Sequence, residues 1–416
     1  MGASRACALR VAVRVRVRIG GFWMRIGLIV LVLGYVLSQF YRAFLAVLTP
    51  ALEADLGATA ADLSYASGLW FIVFAVMQIP VGEALDRFGP RITAVVLFSL
   101  GGAGGALVFA MAQTPAHIAW AMALIGIGCS PVLMAAYYIF AKMYPAVMFS
   151  TLAGATIGFG SLGNLASSAP LAWAVEAFGW RETMVALAVL TLLVSVALWL
   201  VVKDPPKAAS SGPRGSVLDI LKIKALWLIF PMMFVNYAPA AGLRGLWVGP
   251  YGTDVFGADT SMIGTMTLVM GLAMIAGNFA YGPMDRVFGT RKWVVFVGNA
   301  LGAAGCFALF ALHGLTSVWT ATALLALVGL AGASFPLMIA HARPFFPEHL
   351  TGRGVTLMNL FGIGGVGVMQ IVTGRLMTFW QDTKGDSEAY ASLFGFYGIA
   401  MCCGLAIYGF STDRTD

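Results

Sequence analysis

The chain has 416 residues, of which 60% are hydrophobic and only 10% are charged. A soluble globular domain carries about 25% charged residues, so this composition excludes a soluble globular protein. It predicts an all-α protein that crosses a membrane many times. The formal net charge is +7, but the basic residues fall in short breaks between apolar stretches. That distribution argues against a nucleic-acid-binding surface.

Stretches of about 20 apolar residues predict twelve membrane spans. Their predicted limits, in chain order, are 26–49, 63–84, 92–112, 117–141, 149–174, 183–202, 225–252, 261–283, 293–312, 316–340, 354–379 and 390–411. The longest polar segment, 203–224, contains the run KDPPKAASSGPRG. Its Pro, Gly and Ser residues predict a cytoplasmic linker between two six-helix bundles, 26–202 and 225–411. A short tail, 412–416, follows.

The first 25 residues, with VRVRVRIG at 13–20, resemble neither a cleavable signal nor a span. They form a basic N-terminal arm (1–25) that is attracted to anionic lipid, or an over-extended start with Met24 as the true initiator. We favour the second interpretation.

The basic residues predict the orientation of the chain. With the N-terminus in the cytoplasm, only Arg181, Arg375 and Lys384 fall in outer segments. The positive-inside rule then predicts that both termini are cytoplasmic. The expected location is the inner (plasma) membrane of a bacterium.

Two loops repeat one pattern at an offset of 200 residues. The loop after the second span reads G-x-x-x-D-R-x-G-x-R, and the loop after the eighth reads G-x-x-D-R-x-x-G-x-R. The residues concerned are Gly82, Asp86, Arg87, Gly89 and Arg91 in the first loop, and Gly282, Asp285, Arg286, Gly289 and Arg291 in the second. The first glycine of each loop permits close helix contact, the second permits a tight reversal, and the charged residues form ion pairs. We expect these loops to act in a conformational switch.

Twelve spans, a central linker and this loop in both halves resemble the major facilitator superfamily. The resemblance covers residues 24–411 and implies two six-helix bundles around a central cavity, with the substrate near the midplane. It also implies alternating access by rocking of one half against the other. Two patterns of the family are missing: Met122 stands where an Arg is frequent in the fourth span, and the fifth span lacks the drug-exporter pattern.

Two arginines lie inside predicted spans, Arg42 in the first and Arg244 in the seventh, at an offset of 202 residues. A charge inside a membrane costs about 2.5–3.5 kcal/mol on insertion scales and therefore indicates function. Guanidinium binds carboxylate or phosphate through two hydrogen bonds. The pair predicts an anion clamp between the halves, similar to organic-phosphate antiporters and anion–cation symporters. The candidate neighbours in the site are Tyr41, Tyr138, Asn236, Trp247 and Asn359, and a wider set of polar and aromatic residues comprises Gln39, Tyr137, Asn164, Tyr237 and Gln370.

The predicted function is secondary active transport of a small organic anion, a carboxylate or a phosphate ester. Two alternatives are a transporter of short peptides or amino acids, whose carboxylate also suits these arginines, and a non-transporting membrane sensor. No HExxH, GxSxG or Walker motif occurs, so we expect neither an enzyme nor a cofactor or metal. The expected partners are the anionic substrate, the lipid bilayer and a coupled proton, sodium ion or counter-anion, with the protein a monomer.

Overall fold

A computed structural model describes residues 26–144, 146–205, 217–315, 317–347 and 351–414. Every regular element within these ranges is a helix, as the composition predicts. The predicted N-terminal arm, residues 206–216 of the predicted linker and the last two residues of the tail lie outside the described residues.

The first half contains helices α1 to α6. Helix α1 has two parts, Ile26–Phe40 and Leu45–Leu56, which are bent by 50° at the break between them. The others are α2 (Ala60–Arg87), α3 (Pro90–Ala110), α4 (Pro115–Met143), α5 (Ala146–Ala166 continued by Ala169–Phe178) and α6 (Trp180–Val201).

The second half contains α7 (Lys224–Phe256), α8 (Thr260–Phe288), α9 (Lys292–Ala311), α10 (Val318–Phe345), α11 (Thr351–Lys384) and α12 (Asp386–Tyr408). Of the described helices, ten are long and apolar enough to cross a membrane, and the bent α1 makes eleven. Helix α5 lies where the fifth span was predicted, so twelve spans fit the fold.

Most predicted limits lie within four residues of the helix ends. The largest differences are at the ends of α1, α8, α10 and α11, where each helix runs at least five residues past the predicted limit. These extensions are polar turns beyond the apolar stretch, so hydropathy does not detect them. Capping side chains define where two helices begin. The Thr59 side chain accepts a hydrogen bond from the backbone N–H of Asp62 at the start of α2, and the Asp259 side chain accepts one from the backbone N–H of Met262 at the start of α8.

The internal repeat extends to helix packing within each half. Gly163 on α5 lies against the backbone of Val36 on α1, and Gly365 on α11 lies against the backbone of Phe234 on α7. Helices α1 and α7, like α5 and α11, occupy corresponding places in the two halves. Small residues permit such close approach of helices in lipid. The two halves therefore share this mode of helix packing.

The two halves meet at one end of the molecule, which we call the distal end and which carries the loops at 57–59 and 257–259. There α7 packs on α1, because Gly249 lies against the carbonyl oxygen of Ala46, and α2 packs on α11 through Gly68 and Gly367. The other end carries the loops at 88–89 and 289–291 and residues 202–205 and 217–223, and we call it the linker end. On that side, a Cβ added at Gly154 or Gly158 of α5 meets no described atom within 4 Å.

Candidate functional site

Arg42 lies in the turn at 41–43 that interrupts α1. Its guanidinium carbon is 5.6 Å from the ring centroid of Trp70 and 5.5 Å from that of Phe74, both on α2. The side chain is half-buried, and the structure gives it no ion pair or hydrogen bond with any described residue; its buried Nε has no partner. Aromatic faces stabilise a cation but leave its N–H donors free for an anion.

Arg244 is only 3% exposed and has protein partners on two helices. Its Nε donates to the carbonyl oxygen of Thr267 on α8 at 3.3 Å, and Nη1 donates to Oδ1 of Asn164 on α5 at 3.2 Å. Its Nη2 donates to the carbonyl oxygen of Asn164. This buried cation is therefore held by neutral acceptors, two of them from the other half of the molecule.

Both arginines lie at irregular turns, but their positions are not equivalent. Arg244 lies in a π-helical turn, Leu243–Trp247, a feature frequent at functional sites. Gly57 and Gly257 end α1 and α7 with the same φ of 61°, at an offset of 200 residues. At that offset Arg244 corresponds to Phe44 rather than to Arg42, which explains why the two guanidinium groups have different surroundings.

A second polar connection between the halves is centred on Gln370 of α11, which is fully buried. Trp247 Nε1 donates to Gln370 Oε1 at 2.8 Å, and Gln370 Nε2 donates to the carbonyl oxygen of Gly242 at 3.2 Å. From the other half, Ser67 Oγ accepts from Gln370 Nε2 at 3.3 Å, and Ser64 donates to the Gln370 carbonyl. Trp247 thus lies in the contact between the halves.

The remaining predicted site residues are distributed over several surfaces. Tyr41 is fully buried, and its hydroxyl lies 2.9 Å from Thr191 Oγ1 on α6, within its own half. Asn236 donates to Asn299 Oδ1 at 2.7 Å and to Ser334 Oγ at 2.8 Å, inside the second half. Tyr138 is half-buried and interacts with Asp86 at the linker end. Asn359 is half-buried on α11.

The repeated loops form tight reversals, as predicted. Gly89 has a φ of 95° and Gly289 a φ of 65°, values that favour glycine. The expected close contact at Gly82 and Gly282 is wrong for this conformation, because an added Cβ at either position meets nothing within 4 Å. The reason is that both glycines lie near the linker end, away from the contact between the halves.

The charged residues of the loops act mainly within their own half. Arg291 Nε lies 3.3 Å from Asp285 Oδ2. The guanidinium group of Arg91 stacks on Trp199 at 4.1 Å, and that of Arg87 lies 5.3 Å from the ring of Phe88. Arg286 is exposed. The ion pair between Arg291 and Asp285 thus lies within the second half and does not join the halves.

An acidic residue that follows the last helix of each half caps the third helix of that half, which the sequence did not indicate. Asp204 accepts from the backbone N–H of Arg91 at 2.8 Å, and Asp413 accepts from that of Lys292 at 3.1 Å. Burial alone raises the pKa of the Asp413 carboxyl, but hydrogen bonds from Thr290, Lys292 and Arg291 outweigh it and lower the pKa. The carboxylate therefore stays ionised at neutral pH.

Loss of the Asp204 cap is expected to destabilise the first half. Asp204→Ala removes the acceptor for the backbone N–H of Arg91 at the start of α3 and should cost about 1 kcal/mol, which a thermal unfolding measurement in detergent detects as a lower Tm. Asp204→Asn retains a capping oxygen and should recover most of the loss. Equal Tm values for Asp204→Ala and the unmodified protein would contradict this role.

The fold and the repeated loops agree with a comparison of the whole sequence. The sequence profile of the Major Facilitator Superfamily matches residues 31–252 and 229–416. This chain belongs to the Major Facilitator Superfamily. It is therefore a multi-pass integral membrane protein and a transporter of small molecules rather than an enzyme.

Individual members of the superfamily are distant from this chain. It is 24% identical over 408 residues to the hexuronate transporter of Escherichia coli K12, with 90% of this chain and 91% of that protein covered. It is 23% identical over 380 residues to a probable sulfoacetate transporter of Cupriavidus necator, with 84% and 86% covered. Among solved structures, a D-xylose–proton symporter has a TM-score of 0.77 at 16% identity, with 94% of this chain and 98% of that chain covered.

Proposed function

We propose that this superfamily member is a secondary active transporter that moves a small organic anion, a carboxylate or a phosphate ester, by alternating access. The observation that carries the proposal is Arg42, a half-buried guanidinium group with no acidic partner among the described residues. An intramembrane cation is costly and is retained for function. Carboxylate and phosphate groups match its donor geometry.

The relatives support an acidic substrate. Hexuronate and sulfoacetate, which the names of two relatives give as their substrates, are both organic anions. A short peptide or an amino acid also carries a carboxylate, but its ammonium group needs an acidic partner. Because Arg42 has no carboxylate beside it in the described structure, an anion without an ammonium group fits better.

We assign different roles to the two arginines in this conformation. Arg42 binds the anion, and Arg244 holds the distal end closed through Asn164. The clamp predicted from the sequence requires Arg244 to exchange Asn164 for the substrate in another step of the cycle. Substrate contacts of Tyr41, Tyr138, Asn236, Trp247 and Asn359 stay predictions.

The distribution of basic residues supports an orientation in which both termini and the linker end face the cytoplasm of a bacterium. The distal end then faces outward. In that orientation, a closed distal end corresponds to an inward-facing conformation. We also propose that the protein acts as a monomer. Imposed pH, sodium or counter-anion gradients across proteoliposome membranes distinguish the three coupling modes.

Arg42→Ala is expected to raise the KM for anion uptake by about 10–100-fold, because a hydrogen bond to a charged group contributes about 1.5–3 kcal/mol. The measurement is uptake into proteoliposomes of labelled galacturonate, glucose 6-phosphate, glucose and a dipeptide. Arg375→Ala removes an exposed arginine near the end of α11 and serves as the matched control.

The panel separates the candidate functions. Uptake of an anion by the unmodified protein and by Arg375→Ala, but not by Arg42→Ala, supports the proposal. Uptake of glucose or the dipeptide in preference to every anion would overturn it, and so would normal anion uptake by Arg42→Ala.

A further inference from the structure

The side-chain amide of Gln39 has no hydrogen-bond partner among the described residues. Gln39 is only 8% exposed, and its buried Oε1 accepts from no donor. Buried polar side chains are almost always hydrogen-bonded, because an unsatisfied group loses its interaction with water without replacement. An unpartnered amide at this depth therefore indicates that another molecule supplies the missing hydrogen bond.

Gln39 lies beside the proposed anion site. It lies in the last turn of the first part of α1 and precedes Arg42, which lies in the turn at 41–43, by three residues. The Cγ of Gln39 is 3.5 Å from the point that a Cβ added at Gly160 of α5 would occupy. Tyr35, one turn earlier, contacts the same glycine and lies near both Arg42 and Tyr237 of α7. This side of α1 thus faces the second half.

The charges at this side of α1 restrict what can bind. Arg42 supplies one positive charge, and Gln39 supplies a neutral acceptor and a neutral donor. Arg244 already donates to Asn164 and Thr267. A substrate with two acidic groups would leave its second charge without a cation, which is unfavourable in a buried site. A hydroxyl group, by contrast, donates to Oε1 and accepts from the amide N–H.

We propose that Gln39 binds a hydroxyl group of the substrate whose carboxylate Arg42 holds, so that the protein selects hydroxylated monocarboxylates. This inference rests on the proposed function and narrows it. It also separates the two kinds of relative, because hexuronate carries one carboxylate and several hydroxyl groups, whereas sulfoacetate carries two acidic groups and no hydroxyl.

The test compares matched acids in proteoliposomes that contain the full chain. Inhibition of galacturonate uptake is measured with gluconate against hexanoate, glycerate against propionate, and sulfoacetate as the dianion. The unmodified protein should bind each hydroxylated acid at least about tenfold more tightly than its matched acid, a difference of about 1.4 kcal/mol, and should bind sulfoacetate weakly. A site built around a hydroxyl rejects the analogue that lacks it.

Gln39→Leu removes the amide at similar volume and should abolish that preference, because hexanoate then leaves no buried amide without a partner and binds at least as tightly as to the unmodified protein. Gln113→Leu, at an exposed position between α3 and α4, is the control and should retain the preference. An unchanged gluconate-to-hexanoate ratio in Gln39→Leu would overturn the proposal. If Gln39→Leu does not fold, the unmodified protein alone tests the proposal. Equal binding of gluconate and hexanoate, or tighter binding of sulfoacetate than of gluconate, would overturn the proposal. Absence of uptake of every acid in the unmodified protein would instead reject the proposed function.

Discussion

Gly249→Ala is expected to hold the two halves apart at the distal end and to slow transport more than tenfold. An added Cβ would overlap the carbonyl oxygen of Ala46 and would lie 2.6 Å from Thr49 Oγ1. These atoms belong to α1 of the other half, and a backbone carbonyl inside a helix cannot turn away. Separation of the halves relieves the overlap, so the substitution favours the conformation that is open at the distal end.

Spin labels on the exposed residues Ala54 and Ser261 measure this change as a longer distance across the distal end. Gly252→Ala is the control on the same helix, because its added Cβ approaches the side chain of Ile263 at 3.1 Å within the second half. It should leave the label distance unchanged. A Gly249→Ala protein with the original distance and the original uptake rate would show that this contact does not close the distal end.

Gly365→Ala is expected to destabilise the second half by about 3 kcal/mol or more, at or beyond the upper end of overpacking costs. The added Cβ would overlap the carbonyl oxygen of Phe234 and would lie 2.8 Å from its carbonyl carbon. Both helices belong to the same half, so rocking of the halves does not relieve this overlap. A lower Tm and a lower yield of folded protein in detergent are the expected results.

The adjacent Gly364 provides a matched control on the same turn of α11. A Cβ at that position meets nothing within 4 Å, and alanine is the better helix former by about 0.5–1 kcal/mol. Gly364→Ala should therefore leave the Tm unchanged or raise it slightly. Equal Tm values for the Gly364→Ala and Gly365→Ala proteins would mean that α7 and α11 are not packed as closely as described.

The spans and their order were predictable because lipid imposes a strong rule on the sequence. A backbone in hydrocarbon must satisfy its own hydrogen bonds, so each apolar stretch of sufficient length becomes a helix. The repeated loops were also recognisable from the sequence. A tight reversal requires glycine and the cytoplasmic face of the membrane favours arginine, and both requirements are visible within a few adjacent residues. Gly89 and Gly289 confirm this with positive φ values.

The irregular turns that carry the arginines were not predictable. The break at 41–43 contains neither proline nor glycine, and the π turn at Leu243–Trp247 has no sequence signal that distinguishes it from the rest of α7. Both depend on how α1 and α7 pack. The different surroundings of Arg42 and Arg244 depend on the same packing, so the offset of 202 residues suggested more symmetry than the site has.

Gln370 belonged to the wider set of residues predicted to surround the arginines, but its role as a connection between the halves was not predictable. A single glutamine in an apolar stretch has no partner that hydropathy can identify, and its partners are more than 120 residues away along the chain in most cases. Only the three-dimensional arrangement of α2, α7 and α11 makes it a connection between the halves.

Two side chains that connect the halves are also bonded within the second half. Arg244 donates to Thr267, and Gln370 is bonded to Gly242 and Trp247. We therefore expect both side chains to stay in place when the halves part, whereas Asn164, Ser64 and Ser67 belong to the first half and move with it. Because Arg244 and Gln370 are already oriented before reclosure, little side-chain entropy is lost in each cycle. The two similar halves therefore have different roles in closure. The second half keeps the connecting side chains oriented, and the first half supplies the groups to which they bind again.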